Sequence, residues 1–121
     1  MSDIFRETLL SFAERVEGIA GVSLIGRDGI AIDSVVPAED GIMESVSAEL
    51  TGVLGSLSAT DLGIEAGSVR QFLVQSEKAT VVLASVTSEY YLLILLSPEG
   101  NAGRARFEAL EAASVLEKEL V

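Results

Sequence analysis

The 121 residues carry 19 acids against eight bases, no histidine and no cysteine, for a formal charge of −11. A chain of this length can bury roughly two-thirds of its unfolded surface in one core without staples, and a 49% hydrophobic content with two prolines argues against disorder. The charge disfavours nucleic-acid backbones and anionic membrane surfaces, while the missing residue types exclude disulfides, thiol nucleophiles and the commonest general base.

Residues 1–7 show neither the basic nor the apolar region of a secretory signal. The longest strongly apolar run, residues 90–96, falls far short of the ~20 residues a membrane helix needs. The expectation is one cytoplasmic domain over residues 1–121 with no nucleic-acid or membrane partner.

Taken in chain order, the first element is a helix over residues 3–17. Phe5, Leu9, Phe12 and Val16 recur at helical spacing and form one apolar stripe, and Gly18 followed by Ile19 is a left-handed stop signal. Two short β-type runs follow, residues 20–25 and 30–35, bridged by Gly26-Arg27-Asp28-Gly29. Asp-Gly between apolar runs is a hairpin signal, so the bridge is expected to be a turn with Arg27 and Asp28 at an exposed tip, away from the helix that comes next. It leads into a strand and lacks a lysine, so it does not resemble a phosphate-binding loop.

Pro37 breaks the chain, and Asp40 is placed to cap a long helix over residues 41–62, which Gly63 and Ile64 end. Met43, Val46, Leu50, Val53 and Leu57 follow a 3,4,3,4 spacing and predict the seam that packs on a sheet. Ser45, Ala48, Gly52, Gly55 and Ala59 repeat that spacing two residues out of step, which at about 100° per residue puts them nearly opposite. Each interior glycine costs a helix about 1 kcal/mol relative to alanine. A close-approaching second copy of the helix would account for them; a face simply turned to water would more often carry long charged side chains. Glu44 and Glu49 flank this small seam. From residue 28 to residue 69 there are eight acids and no base, which makes one part of the surface strongly negative.

Three further strands are expected at residues 69–75, 79–86 and 90–96, joined by tight hairpins. Residues 97–100 end the sheet, and Asn101 caps a closing helix that runs almost to Val121. The run 91–96 is apolar on both faces and should be central. The strands at 30–35 and 69–75 carry polar residues and should be edges, open to pairing with another chain.

The chemistry is sparse. Glu39-Asp40 is the single adjacent acid pair and reads as a cap rather than a dyad. Tyr90 and Tyr91 begin a central strand and read as packing residues, and Arg104 and Arg106 early in the last helix read as solvated side chains or, less simply, an anion grip. No catalytic, cofactor-binding or metal-binding residue is assigned.

The stretch EGIAGVSLIGRDGIAI (residues 17–32), together with SPEGNAGRARFE (residues 97–108) and the element order, resembles the roadblock/LC7 family. The resemblance implies a profilin-like or longin-like α/β (α+β) fold: a five-stranded antiparallel sheet with the middle helix on one face and both terminal helices on the other. It implies a homodimer or heterodimer joined through the middle helix and third strand, and, for bacterial members of the MglB type, binding of Ras-like small GTPases with stimulated hydrolysis. The dimer contact is accordingly expected at Ser45, Ala48, Gly52, Gly55, Ala59, Arg70, Phe72 and Val74, with Glu44 and Glu49 as charged contacts to a small Ras-like GTPase. Two alternatives stand beside this: an assembly adaptor with the same dimer and no effect on nucleotide turnover, and a sensor domain holding a small ligand, which the filled apolar strands oppose.

Overall fold

The computed structural model describes residues 2–35, 42–58 and 65–120. Among these residues the elements are three helices, α1 (Ser2–Arg15), α2 (Ile42–Ser58) and α3 (Ala102–Leu120), and five strands: β1 (Ile19–Gly26), β2 (Ala31–Val35), β3 (Gln71–Gln75), β4 (Thr80–Ser85) and β5 (Tyr90–Leu96). All strand pairs are antiparallel, in the order β2-β1-β5-β4-β3. The expected fold class is therefore observed, with β5 central and β2 and β3 at the edges. Expectations at Pro37, Asp40, Gly41, Ala59, Leu62, Gly63 and Ile64 lie outside the described residues.

Strand alternation divides the interior into two layers. Leu92, Ile94 and Leu96 of β5 join Val22, Leu24 and Val82 under α1 and α3, whose inward residues include Leu9, Phe12, Ala109 and Leu116, with Val16 just past the end of α1. On the other face Ile25, Leu83, Tyr91 and Leu93 meet Leu54 of α2, with Met43, Val46, Leu50 and Phe72 packed around them. The first layer is thick and closed, the second thin and covered by one helix.

Local chemistry ends the elements as their residues demand. Gly18 adopts φ +81° after α1, and its carbonyl accepts from the Ser97 N–H at 2.8 Å. The Asn101 side chain accepts from the Arg104 N–H at 2.9 Å, an N-cap for α3. Between α1 and α3, the buried Glu108 carboxylate takes Arg104 at 2.8 Å and Arg15 at 3.5 Å. At the β2 edge, Arg6 meets Asp33 at 2.7 Å.

Two expectations are corrected. Val53 is 46% exposed and Leu54, at 7%, takes the inward position. The β1–β2 turn does present Arg27 and Asp28 to solvent, but it is not remote from the middle helix. The Ser47 hydroxyl donates to the Gly29 carbonyl at 2.6 Å, and a Cβ on Gly29, where φ is +85°, would lie 3.3 Å from the Ala48 Cα.

Candidate partner interface

α2 is held against the fold along one side. Leu50 and Leu54 face the sheet, and Ser47 and Ala48 abut the β1–β2 turn. Thr51 turns its hydroxyl back to the Ser47 and Ala48 carbonyls, both at 3.0 Å, which satisfies it within the helix. At 100° per residue, Ile42, Val46 and Val53 then fall on the opposite flank, toward β4 and β3.

The outward face is built from small residues. Ser45, Ala48, Gly52 and Gly55 are all exposed, and a Cβ built on Gly52 or Gly55 meets nothing within 4 Å. Nothing in the fold requires glycine there for space. Glu44 and Glu49 are exposed on the same side, and neither makes an ion pair with another described residue. Ala59, expected to continue the seam, lies outside the described residues.

Beside the α2 flank lies the β3 edge. Phe72 pairs with Leu83 and Val74 with Val81, so both side chains project on the α2 face of the sheet. Phe72 is half-buried, whereas Val74 is 41% exposed; with Ile42 (47%) and Val53 it leaves large apolar groups uncovered on this side. Arg70 precedes the strand proper, is exposed, and receives the Ser85 N–H at its carbonyl at 2.7 Å. The structure thus brings the small seam, two carboxylates and the apolar strand edge to one side of the molecule. Ile42 and Val53 are the members that the sequence reading missed. Their signal was a surplus: α2 has more large apolar residues than one seam can bury.

Tyr91 is buried, with its hydroxyl donating to the Ser88 carbonyl at 3.4 Å. Among the described residues no three His, Cys, Asp or Glu side chains converge as metal ligands, and no described helix is long and apolar enough to cross a membrane.

Comparison with known proteins places this geometry. A family model described as Roadblock/LC7 domain matches residues 5–96. The chain is 29% identical over 104 residues to uncharacterized protein MJ0310 of Methanocaldococcus jannaschii, an overlap of 82% of this chain and 85% of that one. Among solved structures, MglB of Myxococcus xanthus superposes with a TM-score of 0.84 at 14% identity, covering 99% of this chain and 96% of its own. MglC of the same organism gives 0.66 at 29% identity, with 96% and 98% covered.

Proposed function

Because this chain belongs to the Roadblock/LC7 domain family, we propose that it is a homodimeric regulator or scaffold of a small Ras-like GTPase. The observation that carries the reading is the outer face of α2. Two interior glycines cost that helix stability, have open space at their Cβ positions, and stand beside an uncovered apolar strand edge. A second copy of α2 crossing at Gly52 and Gly55, with Ser45 and Ala48 alongside, gives the glycines a purpose. Pairing of Arg70, Phe72 and Val74 with the same strand of the second copy removes the open edge. Similarity to MglB and MglC supports a regulatory or scaffold role.

In this reading Glu44 and Glu49 contact basic groups of the GTPase. The described length of α2 contains no arginine or lysine, so stimulated hydrolysis would work by ordering the GTPase's own switch loops rather than by inserting a cation. The same absence favours a second reading, an adaptor that binds without changing turnover. The test is to mix the protein with the Ras-like small GTPases of its own genome, one at a time, follow co-elution, and measure single-turnover GTP hydrolysis. Co-elution with faster hydrolysis is expected for a regulator and co-elution at an unchanged rate for an adaptor. Neither co-elution nor a changed rate would overturn both.

A further inference from the structure

The two edges of the sheet are chemically unlike. Beside β1, the Gly26 N–H donates to the Ile30 carbonyl at 2.9 Å and the Arg27 N–H to the Glu89 carbonyl, just ahead of β5, at 2.9 Å. Successive residues there turn their backbone groups alternately toward β2 and β5. By that alternation Ser23 turns to β5. Ser34, which stands opposite Ser23, therefore points its own N–H and carbonyl off the free edge of β2.

Both groups are already taken. The Ser34 N–H donates to the Asp33 Oδ1 at 2.9 Å, and the Ser34 carbonyl accepts from the Arg6 Nη2 at 3.2 Å. The same guanidinium nitrogen lies 2.7 Å from the Asp33 Oδ1, which ties the two caps into one clamp between α1 and β2. Asp33 stands opposite Leu24, a member of the layer under α1, and its side chain is only 16% exposed. Just before the clamp the register shifts: Ile25 faces Ala31 and Leu24 faces Asp33, so Ile32 has no residue opposite it on β1. An irregular register and charged side chains both blunt a strand edge.

At β3 the arrangement reverses. The Ser85 N–H donates to the Arg70 carbonyl at 2.7 Å and the Ser76 N–H to the Ala79 carbonyl at 2.8 Å. Arg70 and Ser76 therefore turn to β4, as Phe72 and Val74 do, and Gln71, Leu73 and Gln75 point their backbone groups outward. Among the described residues no side chain bonds to those groups; the Gln71 amide reaches Arg106 instead.

We propose that Arg6 and Asp33 decide which edge of this sheet a second copy of the chain can join, by closing β2 and leaving β3. The side chains at the closed edge show what it holds off. Ile30 and Ile32 are 68% and 45% exposed, and an open strand carrying them pairs with its own copy. A sheet with two usable edges adds copies without closure, whereas one with a single usable edge stops at a pair. The clamp is read from α1 and β2 alone, so it stands whether or not the α2 dimer does.

The test is sedimentation velocity over a concentration series at about 200 mM NaCl, where the −11 charge is screened. Arg6→Ser and Asp33→Ala should each give a concentration-dependent species of at least about twice the parent's mass. Arg6 is 54% exposed, so Arg6→Ser should keep the parent's circular dichroism spectrum. Adding Ile32→Lys to either variant sets like charges on the facing strands and should restore the parent's mass, which it could not do for aggregates of unfolded chain. The parent's mass in either single variant, or a larger species that survives Ile32→Lys, would overturn the proposal. The mass of the parent itself reports on the α2 dimer separately.

Discussion

A Cβ added at Gly18 would stand 2.5 Å from the Cα of Gly100, closer than any real contact of that kind. At this joint the end of α1 meets the turn that leads into α3. The Ser97 N–H reaches the Gly18 carbonyl at 2.8 Å and the Asn101 N–H reaches the Glu17 carbonyl at 3.3 Å. Gly18→Ala therefore combines a left-handed backbone strain with a backbone clash. Strain of that kind costs about 1–3 kcal/mol, and the clash adds to it, so urea unfolding should show a loss of at least that order. Little or no change would mean that the two turns do not touch. Both turns were legible in the sequence as glycine chemistry, at residues 17–18 and 97–100. That they are one joint was not legible, because turn propensity is local and contact between positions some 80 residues apart is not.

At the scale of the element, α2 shows what periodicity can and cannot resolve. The seams 43-46-50-53-57 and 43-47-50-54-57 both fit a helical repeat and share three positions. Choosing between them on apolarity favours Val46 and Val53 over Ser47 and Leu54. The fold instead buries Ser47, because its hydroxyl has the Gly29 carbonyl as a partner at 2.6 Å, and a satisfied hydroxyl can be buried at little cost. Leu54 then turns inward and Val53 outward. The small seam was visible in the sequence because it depends on side-chain size rather than on exact phase. It also makes a two-sided prediction. Gly52→Leu or Gly55→Leu should convert the proposed dimer to monomer in sedimentation velocity, since a branched side chain cannot enter a close helix crossing. Gly52→Ala should instead raise the stability of the isolated chain by about 0.5–1 kcal/mol, the ordinary gain for a helix interior. A dimer unchanged by both leucine variants would remove α2 from the interface.

Over the whole molecule, charge and cover are both lopsided. One sheet face carries two helices and the larger buried cluster, the other a single helix and the smaller one. The thinly covered face also carries α2, which holds Glu44 and Glu49 and no base over its described length. In the proposed dimer two copies meeting there would each bring −11, so their repulsion would oppose the apolar contact. Raising NaCl from about 20 to about 200 mM shortens the screening length severalfold. Self-association measured by sedimentation equilibrium should tighten over that range, whereas a contact built on opposite charges would weaken. The sequence announced the net charge but not its division between the faces, which depends on how the helices are distributed over the sheet.

The strand order also governs how the chain is made. β1 pairs with β2, and β4 with β3, each a local hairpin, but only β5 touches both β1 and β4. A nascent chain that has emerged through β4 holds two ribbons with no strand to hydrogen-bond them into one sheet. Two-stranded ribbons are marginal in water, so the sheet remains in halves until residues 90–96 are delivered. The most apolar strand thus acts as a late keystone, and synthesis runs for three-quarters of the chain before the molecule can close.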